Sequence, residues 1–483
     1  MYLKFSGILL VLSSFFVNAQ KKQPVTEIIG DFTNLNQSFT IINKEEQTTA
    51  IFLEDQGKVF GVLYDKDFNK LSEVSAPTLP SKYQNIISYS YDDEVFTIYL
   101  NTRNNRSYGM LQFDFKNRKA YEKELTFKFK EERFIAAINR KDAMLLLSVP
   151  VDSDILNVYT FKGETIDQKQ LNLSKIRFLD WKNRDTNFYD FITDAGILKN
   201  KVAATEILDD LPQTSEETSK HVKYYQKSNE LYLIFDKHDT YTYLLNLDLN
   251  KLSITHKVFT QPYTGDATIS VRSGSTLVDS LLFQFKVSPD MLKIQATDIN
   301  TKEILKTVEL KDSEESIDSL FWSPKSTSEI KSILGVSLFN LNSEKPKAFL
   351  RFLANSETGL SVAKINKKYL ITLSSIKEQS GAPLLGGFNS FTTPFGILPG
   401  FNSYYATLRL SVSRTRTKNL MSVWDMGMNP VKWDEKYNPV NQIKEFSQNH
   451  RNAQAVITFK RGDIYFWGGY LPSSGRFSIF EFK

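Results

Sequence analysis

The chain has 483 residues, no cysteine and four histidines, with 60 Lys plus Arg against 55 Asp plus Glu for a formal charge of +5. Without cysteine it can form no disulfide and carry no cysteine-linked lipid. Charge of both signs is mixed along the whole length, which excludes the clustered basic face that nucleic acid requires.

The first segment, residues 1–19, reads as a signal peptide. Lys4 opens it, Gly7 to Val17 is almost wholly apolar, and Val17-Asn18-Ala19 ends it with small residues before a cut at Gln20. The apolar run is shorter than the ~20 residues a bilayer demands, so a retained anchor is the weaker reading. The expected destination is the periplasm or the outer envelope surface of a bacterium. Residues 20–36 then form a polar linker followed by a closing strand, Thr26 to Phe32.

From residue 37 to 483 the sequence predicts a single all-β domain. Its 36 Phe and 22 Tyr suit pleated, half-buried surfaces. Strong apolar runs begin at Ala50, Val95, Ala143, Leu231, Leu281, Tyr369 and Ile464. Three of their spacings are 45, 48 and 50 residues, the length of one β-propeller blade, and the other three fit one unit plus an insertion or two units with one degenerate. Within a unit, a continuous apolar strand is followed by an alternating one and a polar edge, as stacked sheets need. Residues 221–259 show the pattern most clearly.

Seven units are expected, near residues 37–76, 84–130, 131–173, 220–262, 266–311, 358–426 and 452–483. Six or eight units also accommodate the spacing, and stacked β-sandwiches are the competing architecture. The last unit has three good strands, so the N-terminal strand is expected to supply its fourth and close a ring. Insertions interrupt the repeat at 174–219, 312–357 and 376–403. In the first, Ala203 to Leu211 reads as helix and Pro212 to Ser219 as an acidic loop. In the second, Asp312-Ser313-Glu314-Glu315 reads as a helix start, and Ser328 to Leu341 as helix or strand.

The third insertion supplies the candidate binding residues, because five glycines alternate there with Leu384, Leu385, Phe388, Phe391, Phe395 and Phe401. Exposed, such a loop makes an adhesive patch for a protein partner; packed, it covers one end of the central channel. Trp424 and Trp433 join the candidates, since Asp180-Trp181, Trp424-Asp425 and Trp433-Asp434 each set an aromatic platform beside an acid, a surface that also stacks on sugar rings. Ordinary packing is the commoner reason for such pairs.

No catalytic set emerges: G-x-S-x-G, H-E-x-x-H, the phosphate-binding loop and G-x-G-x-x-G are all missing. His221, His238, His256 and His450 are not paired at metal spacing. Asp236, Asp239 and Asp248, or Asp152 and Asp154, lie on turns without the Gly and Glu of a calcium loop. No metal or cofactor is assigned. Arg461-Gly462-Asp463 reads as a hairpin turn rather than an adhesion motif, and the Lys-rich stretch Lys116 to Lys130 as a solvated strand edge. Gly-His and Trp-Asp do not recur at unit spacing, so no propeller family is indicated. The functional expectation is a non-catalytic binding or scaffold protein with an envelope protein partner. The alternative is a carbohydrate-active hydrolase or lyase, or a glycan-binding protein, with acids at the channel mouth.

Overall fold

The computed structural model describes residues 24–483 except 31, 33–34, 56–57, 77–81, 84, 103–105, 194–203, 208–212, 214, 264–270, 315–326, 329–338, 341–344, 366, 379–414 and 432–438. The fold is nearly all β and is a β-propeller. Among the described residues, seven sheets of three or more strands follow one another along the chain, and each expected unit holds one. Sheets 1, 2, 3 and 5 are four-stranded meanders running from Leu35 to Ser75, Asn85 to Leu125, Glu132 to Asn172 and Arg272 to Lys311. Sheet 4 runs from Val222 to Thr260 with an additional short strand, and sheet 6 pairs Glu357–Ile365, Lys368–Glu378 and Thr415–Asp425. Sheet 7 is Gln454–Arg461, Ile464–Leu471 and Arg476–Phe482, completed by Thr26–Ile29.

That completion is the expected closure. Thr26 lies opposite Ile479 and Ile29 opposite Arg476 in an antiparallel ladder, and Arg476 pairs with Glu27 at 2.6 Å. Hydrophobic packing runs round the same circle. A strand covered on both faces sends alternate side chains to its two neighbours. In Val95–Asn101, Phe96, Ile98 and Leu100 pack on sheet 1 while Tyr99 packs on sheet 3. Leu145, Leu147 and Val149 face sheet 4, and Met144 and Leu146 face sheet 2. Further buried clusters join sheets 4 to 5, 5 to 6, 6 to 7 and 7 back to 1. Continuous apolar runs in the sequence are therefore the consequence of radial stacking.

Polar side chains bind the innermost strands laterally. Ser38 donates to the Ala455 carbonyl, Ser88 to Asn139 Oδ1 at 2.8 Å, Gln226 to the Asn139 carbonyl and Arg272 to the Ser356 carbonyl at 3.2 Å. The Ser38 and Arg272 contacts join strand starts and the Gln226 contact joins strand ends, so these inner strands run in one direction. In a meander with that direction fixed, the second-to-third connection and the connection to the next sheet emerge on one face. All three insertions belong to those two kinds of connection, and we call that side the insertion face.

Two local expectations change, and one that allowed helix or strand is strand at its described ends. Ala204 to Ile207, expected to be helical, is extended, with Thr205–Glu206 paired parallel to Lys223 and Tyr224; a partner edge outweighs helix propensity. Asp312 sits in a turn, and among the described residues of that insertion the helix is Pro346–Ala354, which buries Phe349, Leu350 and Leu353. At the ends of Ser328 to Leu341, read as helix or strand, the short strands Thr327–Ser328 and Phe339–Asn340 pair. Another helix, Pro439–Asn449, carries the chain back from the third strand of sheet 6 to the start of sheet 7.

Candidate functional site

The inner strands enclose the channel where a ring of sheets ordinarily holds a site, and here the first insertion enters it. The Ala204 N–H donates to the Ile135 carbonyl of sheet 3 at 2.7 Å, and the Ile207 N–H to the Tyr224 carbonyl of sheet 4 at 2.9 Å. Farther along, the Gln213 N–H donates to Ser361 Oγ of sheet 6 at 3.0 Å. The one-turn helix Ser215–Thr218 follows, and the Thr218 carbonyl accepts from Lys223 Nζ at 3.2 Å. Ala204, Glu206, Ile207 and Thr218 are buried. The described parts of this segment, Ala204 to Ile207, Gln213 and Ser215–Thr218, are thus bonded to the inner strands of three sheets, and we call them the strap.

The strap brings an acid with it. Burial pushes the Glu206 carboxyl up to about 8, with the Tyr224 hydroxyl bond opposing and the charge of Glu217 adding to the rise. Tyr224 and Tyr89 are themselves pushed up, chiefly by burial and then by Glu206. At neutral pH Glu206 is therefore protonated, locking the strap to the wall without burying a charge.

Beside it lies a compensated charge. Lys223 Nζ meets Asp236 Oδ2 at 2.8 Å, both side chains wholly buried. Asp236 also accepts from Thr242 Oγ1 at 2.9 Å and from the Ser275 N–H at 2.9 Å. Burial alone would raise the Asp236 carboxyl; the Lys223 ammonium and the Ser275 and Thr242 hydroxyls outweigh it and hold it low. These contacts bind sheet 4 to sheet 5 and to the strap. An aspartate so engaged has no freedom to ligate calcium. Asp154 instead accepts from the Phe188 N–H at 2.7 Å, and Asp248 from the N–H groups of Asn250 and Lys251. Among the described residues, no three His, Asp or Glu side chains are gathered to hold a metal.

The candidate residues are placed unevenly. Leu384, Leu385, Phe388, Phe391, Phe395, Phe401 and Trp433 lie outside the described residues. Trp424 is in the core between sheets 5 and 6, with 0% exposure and its indole N–H donating to Ser422 Oγ at 2.8 Å. It offers no surface to a partner, because its position on a both-sides-covered strand turns it inward. Trp181 does stand out at 70% exposed, with the Lys182 ammonium 4.5 Å from its ring centre. Its neighbour Asp180 is spent on the turn, accepting from the Lys182 and Arg184 N–H groups.

His238 also serves a turn, its Nδ1 accepting from the Thr240 N–H at 3.0 Å and the Tyr241 N–H at 3.3 Å. Gly462, at φ +60°, makes the hairpin between Arg461 and Ile464. The Arg461 guanidinium is 4.3 Å from the Phe68 ring centre and donates to the Asp65 and Lys66 carbonyls, sealing sheet 7 to sheet 1. Glu206 and Lys223 were not singled out in the sequence, where only the pattern of a charged residue inside an apolar strand marks Lys223.

Comparison with known proteins assigns no family: no family model matches, and no curated protein does. Solved structures give distant likenesses. Prolyl oligopeptidase B from Galerina marginata aligns at TM-score 0.35 and 9% identity over 92% of this chain and 51% of its own. The Dos1 propeller aligns at 0.27 and 9%, over 73% of this chain and 71% of its own. Cobalt-substituted Synechocystis ACO aligns at 0.29 and 8%, over 59% of this chain and 62% of its own, so this chain spans about three fifths of that length. At such scores the likenesses carry neither activity nor substrate. Among the described residues, no helix is long and apolar enough to cross a membrane.

Proposed function

We propose that this is an exported β-propeller of a bacterial envelope, in the periplasm or on the outer surface, acting as a non-catalytic binding or scaffold protein for a protein partner. The single observation that carries this reading is the strap. The channel that a ring-shaped hydrolase would line with convergent acids is entered by the chain's own insertion, whose Ala204, Ile207 and Gln213 bond to the inner strands of sheets 3, 4 and 6. Glu206, which enters with it, is buried against Tyr224 rather than presented to a ligand.

The partner is taken on the insertion face, where three long insertions leave one rigid ring. Its contacts are assigned to the Gly/Phe loop of residues 376–403, through Leu384, Leu385, Phe388, Phe391, Phe395 and Phe401. The seven sheets are the whole ring in this reading, residues 1–19 are removed on export, and residues 37–483 form one domain.

Affinity capture from envelope extracts, with the full chain and with residues 380–403 deleted, tests the assignment. Loss of specific partners on deletion supports it, and unchanged capture removes the loop from the interface. Activity on a polysaccharide panel by the full chain would overturn the non-catalytic reading.

A further inference from the structure

A second feature of the insertion face lies outside the channel. The linker between Leu125, at the end of sheet 2, and Glu132, at the start of sheet 3, opens a cleft of about 790 Å³. Its apolar wall is Leu125, Phe127 and Tyr159. Phe127 is half-buried and held by edge-to-face contacts with Tyr159 at 4.8 Å and Tyr108 at 5.2 Å. Its ring is thus locked in place while part of it stays open to the cleft.

Beside that wall sits a built acceptor. Glu132 Oε1 accepts from the Tyr159 hydroxyl at 2.7 Å and Oε2 from Ser148 Oγ at 2.5 Å. Tyr159 is bonded in turn to the Gln168 side chain. Each carboxylate oxygen has two lone-pair sites, so both retain one for a ligand hydroxyl. Cations stand over the cleft: Lys128 and Lys130 are exposed lining residues with no acid within salt-bridge distance among the described residues. The other lining acid, Glu124, is already paired with Lys82 at 2.6 Å.

We infer that this cleft binds an acidic oligosaccharide, one whose sugar units carry carboxylates. A pyranose packs its C–H face on an aromatic ring and donates hydroxyls to fixed acceptors. A carboxylate on the sugar answers the two unmatched ammonium groups. Other ligand classes fit less well: a phosphate dense enough to use both lysines would meet the Glu132 carboxylate, and a basic peptide suited to Glu132 would meet Lys128 and Lys130. The inference is independent of the protein-partner reading, because the cleft and the Gly/Phe loop belong to different sheets.

Isothermal titration of the full chain with oligogalacturonate and oligoguluronate, against neutral cello-oligosaccharide, tests it. Binding of at least one acidic ligand is expected, falling several-fold between about 50 and 300 mM salt as screening grows, with no binding of the neutral one. K128A/K130A, on exposed positions that leave the fold intact by circular dichroism, is expected to weaken binding at least tenfold. E132Q, which keeps one acceptor oxygen but removes the charge, is expected to change acidic-ligand affinity less than the lysine pair does. No heat with either acidic ligand, equal affinity for the neutral one, or an unaffected K128A/K130A variant would overturn the inference.

Discussion

Glu206→Gln should make the protein more stable, by an amount set by pH. In the unfolded chain the carboxyl titrates near its ordinary value, and in the folded chain near 8. Below about pH 4.5 both states hold the proton and the residue contributes no pH dependence. Between there and about pH 8 only the unfolded state releases it, so folding stability falls by about 1.4 kcal/mol per pH unit. Above about 8 both states are ionised and the loss is complete, at most about 5 kcal/mol for the full interval. Glutamine keeps the shape and still accepts from Tyr224, but carries no titrating proton. The charged and titratable groups facing it, Tyr224 and Tyr89 on the walls and Glu217 on the strap, are retained. Urea denaturation of both proteins at pH 5, 6, 7, 8 and 9 should show a gap that widens by at least ~2 kcal/mol up to pH 8 and then levels. A gap that is constant with pH, or that narrows as pH rises, would refute the burial of this acid against Tyr224.

The remaining predictions concern what is buried and what is not. Asp236→Ala leaves the Lys223 ammonium wholly buried without its carboxylate, a loss of about 3–5 kcal/mol, whereas the K223M/D236L pair should cost much less; equal losses in urea unfolding would contradict the ion-pair description. Trp424→Ala should cost about 3–5 kcal/mol and Trp181→Ala within about 0.5, since they are 0% and 70% exposed; thermal melts in the opposite order would show that the two indoles are misplaced.

Much of this architecture is written in single residues. Phe96, Ile98 and Leu100 alternate with Tyr99 because each set meets a different neighbouring sheet, and that double coverage leaves an unbroken apolar run. The closing strand was legible for a related reason: the last unit lacked a partner, and Thr26 to Ile29 offers one. What escaped the pattern depends on contacts between distant segments. Thr205–Glu206 is extended only because Lys223 and Tyr224 present an edge to it, and two paired residues leave no periodicity. The Lys223–Asp236 pair spans two strands and needs Ser275 from the next sheet to be complete. Helix Pro346–Ala354 did carry a signal, with Pro346 in its first turn and Phe349, Leu350 and Leu353 on one face. Its position inside an irregular insertion hid it. Trp424 misled because aromatic-acid adjacency says nothing about which way a strand turns its side chain.

The clasp between the two ends of the chain has a consequence for assembly. Ser478 bonds to Glu27 across 451 residues of sequence, and closing a loop that long costs roughly 5 kcal/mol in chain entropy if nothing in between is ordered. Each hairpin within a sheet joins near neighbours and forms first, so the intervening sheets shorten the effective loop before the ends meet. Until they do, Arg476–Phe482 exposes a bare hydrogen-bonding edge, a template for a second molecule's N-terminal strand. A concentrated, half-folded population would accordingly exchange these strands into chains of rings, and dilution during refolding would favour the self-closed monomer.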